Sequence, residues 1–183
     1  MTVAVLLCAG GSTRFAGEQP KLLTPFRGRP LVSWAFEQAG DAGLEELIVV
    51  VGGVDLSAML GGAVTVDNPE WASGQASSLR VGIAEAARRG HHAVVVGLGD
   101  QPLVPASAWR AVAVSTSPIA VATFDGRRSP PTRLADSVWE LLPRSGDVGA
   151  RELMRARPDL VAEVACDGDP LDIDTVEDCE RWS

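Results

Sequence analysis

Four short apolar runs constrain the fold of this chain more than anything else in it: Val3 to Leu7, Leu47 to Val51, Ala93 to Leu98 and Ile119 to Phe124. A strand with one solvated face alternates apolar and polar residues, whereas a continuous run of this length reads as a strand buried within a sheet. A shorter run, Ala63 to Val66, reads as a fifth strand. The segments between carry helical spacing instead. Pro30 to Ala42 has proline near its first turn and apolar positions at Leu31, Trp34, Ala35 and Ala39. Gln75 to Arg89 aligns Leu79, Ile83, Ala86 and Ala87, Pro105 to Val114 is also helical, and Leu56 to Leu60 is a short helical piece. Strands alternating with helices imply a mostly parallel sheet covered on both faces, joined by right-handed crossovers. In such sheets ligands sit beyond the carboxyl ends of the strands. That rule gathers the loops after Leu7, Val66, Leu98 and Phe124 onto one edge.

The first of those loops reads Leu7-Cys8-Ala9-Gly10-Gly11-Ser12-Thr13-Arg14, with Lys21 shortly after. Glycine lets the backbone turn tightly and come close to a ligand. Exposed amides of Ala9 to Ser12 can cradle phosphate oxygens, and Arg14 and Lys21 can add positive charge. A dinucleotide fingerprint needs a third glycine at fixed spacing, and this loop lacks it. A Walker loop needs glycine followed by lysine, and here Gly17 is followed by Glu18. A plain glycine turn with two solvated cations fits the same residues.

At 183 residues and 46% hydrophobic content, residues 1–183 read as a single globular domain with a substantial core. No apolar run approaches the roughly eighteen residues that span a bilayer, and the N-terminus lacks a basic signal region. The net charge of −8 excludes nonspecific binding to nucleic acid, which needs a basic surface. Three cysteines, Cys8, Cys166 and Cys179, have no zinc-ligand spacing and fit a reducing cytoplasm. Cys8 reads as a small buried residue at a strand end. The charge is unevenly spread: Arg14 to Arg29 holds four cations and one acid, Asp159 to Glu180 nine acids and no cation. Such a tail is solvated, or else faces the cationic loop across a metal–nucleotide site.

Asp100 follows the third long run, on the same edge as the glycine loop. It can cap the turn before Pro102. Beside a triphosphate it would instead need a bridging cation, and Mg²⁺ takes one or two carboxylates with phosphate oxygens and water. Asp172 and Asp174 lie two residues apart on an extended segment, so their side chains share a face. Thr175, with Asp178 three residues on, marks the start of a last helix. His91 and His92 precede a strand and read as surface residues, Trp34, Trp109 and Trp139 as core. Trp71 stands in a loop where a ligand can touch it.

Together these segments resemble a known family. Leu7 to Phe15 with Lys21, Asn68 to Arg80, Gly97 to Pro102, Gly146 to Arg151 and Asp172 to Asp178 are similar, in order and over nearly the whole chain, to the MobA-like nucleotidyltransferases. The resemblance is strongest to their molybdenum-cofactor cytidylyltransferase branch. It implies a three-layer α/β/α Rossmann-like fold with a mostly parallel mixed sheet, an NTP and Mg²⁺ as ligands, and a cytoplasmic enzyme. The implied reaction joins a nucleoside monophosphate to the phosphate of molybdopterin or its metal-loaded form, releasing pyrophosphate. By the same resemblance, Leu7, Ala9, Gly10, Gly11, Ser12, Arg14 and Lys21 would hold the triphosphate, and Gln75, Ser77 and Ser78 would approach the base. Arg14, Lys21 and Asp100 would be catalytic, and Asp100, Asp174 and Asp172 would bind the metal. Asp147, Gly149 and Arg151 would border a phosphorylated pterin-type acceptor. Ala9, where guanosine-type relatives carry glycine, leans toward CTP over GTP.

Two departures stand out. Arg14 and Lys21 are spaced one or two residues wider than in the family, and Gly126 to Pro131 lacks the family's histidine. The altered loop leaves room for a sugar phosphate or another phosphorylated acceptor. A noncatalytic chaperone delivering cofactor to a molybdoenzyme would use the same ligand-binding residues, and an NAD-dependent oxidoreductase is compatible with the composition. His91 and His92 offer little acid–base chemistry, but an already ionised phosphate nucleophile needs positioning and charge neutralisation more than a base.

Overall fold

The computed structural model describes residues 1–10, 15, 17 and 19–183. The apolar runs form β1 (Thr2–Leu7), β4 (Leu47–Val51), β6 (Ala93–Leu98) and β7 (Ile119–Phe124). With β5 (Val64–Asp67), β8 (Arg127–Ala135) and β9 (Val161–Ala165) they make one seven-stranded sheet in the order β5-β4-β1-β6-β8-β7-β9. β1 pairs in parallel with both β4 and β6, Leu7 lying opposite Val50 on one side and Leu98 on the other. Only β8 runs against its neighbours, so the sheet is mixed but mostly parallel. A minor ribbon, β2 (Pro25–Phe26) with β3 (Arg29–Pro30), stands apart.

Side chains along β1 divide between two cores, because successive residues of a strand point to opposite faces. Ala4, Leu6 and Cys8 face α1 (Leu31–Asp41) and α3 (Ala106–Ala113), where Val32, Ala35, Trp109 and Val112 are buried. Val3, Val5, Leu7 and Ala9 face α2 (Gln75–Arg88), through Leu79, Ile83 and Ala86. α2 packs closely: a Cβ on Gly82 would come within 2.6 Å of Val5 Cγ1. α4 (Arg151–Ala156) adds Leu153 and Met154 to that second core. A third, small cluster joins Phe26, Leu31, Ile173 and Cys179, and it fastens α5 (Val176–Trp182) to the ribbon.

The basic, proline-containing stretch after Phe124 is an internal strand and not a loop. Asp125-Gly126, both at positive φ, is the two-residue turn that matches strand twist and folds β8 back on β7. Pro130 and Pro131 fall where the β7–β8 register shifts, the position at which residues without an N–H are tolerated in a sheet. No helix among the described residues is long and apolar enough to cross a membrane.

Candidate functional site

At the carboxyl edge of the sheet, the loops after β1 and β6 and the turn before α2 wall a cleft of about 620 Å³. Leu7, Ala9 and Gly10 line its base. Ala9 is buried in the core layer beneath α2, while Gly10 is exposed and a Cβ there would meet nothing within 4 Å. The side chain of Ala9 therefore fills the core, and what the cleft meets here is largely backbone. Gly11, Ser12 and Arg14 lie outside the described residues.

Lys21 opens a single 3₁₀ turn, Lys21–Leu23, anchored by buried Leu22. Its ammonium Nζ donates to Asp100 Oδ2 at 2.7 Å and to Asp174 Oδ1 at 2.9 Å. The lysine side chain is 7% exposed, the two carboxylates 26% and 35%. Burial alone would make the ammonium easier to deprotonate, but Asp100 and then Asp174 outweigh it and hold its pKa above the ordinary value. The cationic segment and the acidic tail thus meet at this ion pair. Asp100 stands in the turn closed by Gln101 N–H donating to the Leu98 carbonyl. Asp174 is brought opposite by its neighbours: Ile173 is fully buried, and its amide donates to the Asp100 carbonyl at 3.1 Å. The Thr175 capping box then fixes the chain as it enters α5.

Asp172 is solvent-exposed, yet partial desolvation, followed by the charges of Asp100 and Asp174, pushes its carboxyl up to about 6. Three carboxylates around one ammonium leave an anionic excess that suits a divalent cation. Among the described residues no three acidic, histidine or cysteine side chains gather into a metal cage of their own. Asp100 and Asp174 are the donors that fit, with phosphate oxygens and water left to complete the shell. Cys8 is buried, and its thiol is pushed far up by desolvation and then by Asp100, so it is an inert packing residue.

The opposite wall is organised by Asn68, which is 1% exposed. Its Nδ2 donates to Ser77 Oγ and Ser78 Oγ, both at 2.9 Å, and its Oδ1 accepts from the Glu70 amide. Ser77 also reaches the Gly74 and Glu70 carbonyls, so its hydroxyl is engaged in holding the turn together. Gln75 and Ser78 line the cleft. Trp71, placed in a loop by the sequence, forms part of the wall and packs on Gly52 and Gly53, where any Cβ would come within 2.9 Å of its ring. Gly74 takes φ 113° against the backbone of Gly146, which lets the 146–151 loop dock on the start of α2.

That loop divides between two spaces. Asp147 lines the cleft itself, whereas Gly149 and Arg151 line a second cavity of about 280 Å³ that shares Leu7, Gln75 and Leu98 with it. Sequence reasoning missed Arg128 and Arg155, which border that cavity, and Gln101, which bridges Ser129 and the Pro170 carbonyl. An Asp-Gly pair ahead of Arg127 was the available signal for the strand that carries Arg128 and Ser129. His91 corrects the surface reading made for it. It is 5% exposed, with Nε2 3.1 Å from Glu46 Oε2, while His92 does lie at the surface beside Asp136. Both histidines precede β6, roughly 20 Å along the strand from its carboxyl end, where the site lies.

A mostly parallel sheet with the Ala9–Gly10 backbone following β1 and carboxylates on the same edge is the architecture of α/β nucleotidyltransferases. The chain belongs to the MobA-like NTP transferase domain family, whose model matches residues 4–162. It is 34% identical to nicotine blue oxidoreductase of Paenarthrobacter nicotinovorans, over 97% of this chain and 94% of that protein. Among solved structures it is similar to Rv0371c of Mycobacterium tuberculosis, 32% identical over 98% of this chain and 96% of that one, with TM-score 0.84. A manganese complex of Rv0371c superposes with TM-score 0.80 at 30% identity, covering 99% and 97% of the two chains. The 3-deoxy-manno-octulosonate cytidylyltransferase of Vibrio vulnificus is 36% identical over 60% of this chain and 45% of its own length.

Proposed function

We propose that the protein transfers a nucleoside monophosphate, CMP in preference to GMP, from an NTP to the phosphate of a molybdopterin-type acceptor and releases pyrophosphate. The observation that carries this reading is the Asp100–Lys21–Asp174 constellation, joined beside a cleft that Ala9 and Gly10 line just after β1. The backbone of Ala9 to Ser12, with Arg14 and Lys21, would bind the triphosphate. Gln75 and Ser78 would orient the base, and Gly149 and Arg151 would border the acceptor. Asp100 and Asp174 would hold Mg²⁺, with Asp172 beside them. Bound there, the ion would neutralise charge on the triphosphate as the α-phosphorus is attacked. The acceptor phosphate is already ionised, so the absence of a nearby histidine is no obstacle. A manganese-bound solved relative supports a divalent ion, and the cytidylyltransferase relative supports CTP.

The test is pyrophosphate release with CTP or GTP and Mg²⁺, against molybdopterin and a panel of sugar phosphates. Asp100→Asn should lose at least a hundredfold in turnover while keeping the fold. Near-normal release by that variant would overturn the metal assignment, and nucleotide binding without release would favour a cofactor chaperone.

A second reading has one specific observation behind it: the relative matched over nearly its whole length is named an oxidoreductase. In that reading the same sheet edge would hold a redox substrate. Oxidation of NADH on adding a quinone-type dye, followed by absorbance, separates the two readings directly.

A further inference from the structure

Gln101 follows Asp100 directly and is 3% exposed. Its backbone N–H closes the turn onto the Leu98 carbonyl, and its Nε2 donates to Ser129 Oγ at 3.2 Å and to the Pro170 carbonyl at 3.1 Å. The same side chain reaches Asp172, where its hydrogen bond works against the burial and the acidic neighbours that push that carboxyl up. A buried amide left without acceptors is costly, so Gln101 and its partners fix one another in place. Residues 167–174, which join β9 to α5, form neither helix nor strand and depend on such tethers. Three hydrogen bonds tie them to the chain that follows β6. The Asp169 amide donates to the Leu103 carbonyl at 3.4 Å, Gln101 holds Pro170, and the Ile173 amide donates to the Asp100 carbonyl at 3.1 Å. Asp172 and Asp174 flank Ile173, so the last two bonds set where those carboxylates stand relative to Asp100. Of the three, only the bond from Gln101 is made by a side chain, and only that side chain reaches on to β8 through Ser129. Lys21 also joins Asp100 to Asp174, but a cation arriving at the carboxylates competes with its ammonium. The bonds of Gln101 to a neutral hydroxyl and a neutral carbonyl face no such competition.

We propose that Gln101 is a positioning residue for the divalent ion: it pins the 170–174 segment to the Asp100 turn, so that Asp100 and Asp174 keep their spacing when Lys21 gives them up. The assignment rests on the nucleotidyl-transfer reading, in which those two carboxylates take the ion. Gln101 is not among the residues that line the cleft, so it acts through the aspartates. Groups that orient metal ligands from behind in this way typically carry about 10–100-fold in metal affinity.

The experiment is Mn²⁺ binding to the full chain in the presence of CTP, followed by the electron paramagnetic resonance of the free ion, with thermal unfolding measured in parallel without metal. Gln101→Met keeps the length of the side chain and removes its amide, and it should weaken Mn²⁺ binding by about 10–100-fold. Ser129→Ala, on β8, should weaken it by about threefold or more, and adding it to Gln101→Met should cost no more than about twofold further, because Ser129 acts through Gln101. Thr123→Val removes a similarly buried hydroxyl whose bond, to the Val164 carbonyl, lies outside the site. It should lower the melting temperature and leave Mn²⁺ affinity within about twofold, since distant sites act independently. Unchanged Mn²⁺ binding by Gln101→Met, or an equal loss in Thr123→Val, overturns the proposal. If Gln101→Met does not fold, unchanged binding by Ser129→Ala overturns it instead. A wild type that binds CTP but no Mn²⁺ overturns the metal assignment itself, a failure distinct from a wild type that binds Mn²⁺ and is indifferent to Gln101.

Discussion

Replacing Lys21 with methionine isolates the contact on which the site turns. Lys21 lies 2.7 Å from Asp100 and 2.9 Å from Asp174, with its own side chain 7% exposed and the carboxylates 26% and 35%. Methionine fills much of the same space and removes the charge, leaving two carboxylates facing each other without a cation. Removing one partner of a fully buried pair costs about 3–5 kcal/mol, while exposed pairs are worth about 0.2–1 kcal/mol. Here the lysine is buried and the acids keep some water, so a cost of about 2–3 kcal/mol follows. For a chain of this size each kcal/mol moves the melting temperature by about 2–4 °C, which gives a drop of roughly 4–12 °C by circular dichroism at pH 7 without metal. The pH dependence has a definite sign. The folded pKa of Lys21 is raised above its ordinary 10.5, so its stabilisation is fully present below pH 10.5 and is lost as pH climbs through the folded value. The gap between wild type and variant should therefore stay constant from neutrality to about pH 10 and narrow above it. Added Mg²⁺ should raise the melting temperature of Lys21→Met more than that of the wild type, because an ion between the carboxylates replaces the missing ammonium. A variant as stable as the wild type without metal would refute the claim that Lys21 holds the carboxylates together.

Further perturbations read other parts of the design. Gly97→Ala would drive a Cβ to 2.3 Å from the Trp109 ring, and overpacking of this kind costs about 1–3 kcal/mol, visible as a lower urea midpoint. Thr175→Ala removes the capping box of α5 and should cost about 1 kcal/mol by urea denaturation. Because Asp174 is the next residue, the same variant should lower nucleotidyl transfer more than Val114→Ala, a change at an exposed site far from the cleft. Glu46→Gln tests the sheet's opposite edge. Hydrogen bonds from Arg89 and then His91 hold the Glu46 carboxyl down at about 2, against an ordinary 4.5. Its stabilisation is present above pH 4.5 and is lost as pH falls toward 2, so the wild type's advantage in acid titrations should shrink across that window.

The strands that the sequence makes plain are those whose burial is decided by their own residues. Leu47–Val51, Ala93–Leu98 and Ile119–Phe124 match the apolar runs end to end, and the α1, α2 and α3 boundaries fall within a residue or two of the helical spacing. β8 is different. Arg-Arg-Ser-Pro-Pro-Thr-Arg has neither β propensity nor an unbroken set of donors, and it becomes a strand because β6 and β7 supply partners on both sides. β9, Val161–Ala165, is an edge strand pairing only with β7, and it sits in an acidic stretch whose composition suggests a solvated tail. In both cases tertiary pairing overrides local preference, and only the Asp125-Gly126 turn announces the hairpin beforehand.

The candidate site shows the same division between what a residue type declares and what only assembly creates. Asp100 and Asp174 were legible as carboxylates on one sheet edge, and Lys21 as a cation near the glycine turn. Their union was not, because it depends on Ile173 burying itself beside Phe26 and Leu31 and so drawing the tail across the loop after β6. That union also alters what the lysine can do. An ammonium committed to two carboxylates is not idle phosphate-binding charge. A triphosphate that recruits it must leave Asp100 and Asp174 in need of another cation, and a divalent ion arriving with the nucleotide meets that need. Nucleotide and metal should therefore bind with positive coupling, each weak alone, and Lys21→Met should weaken that coupling by easing metal entry in the absence of nucleotide.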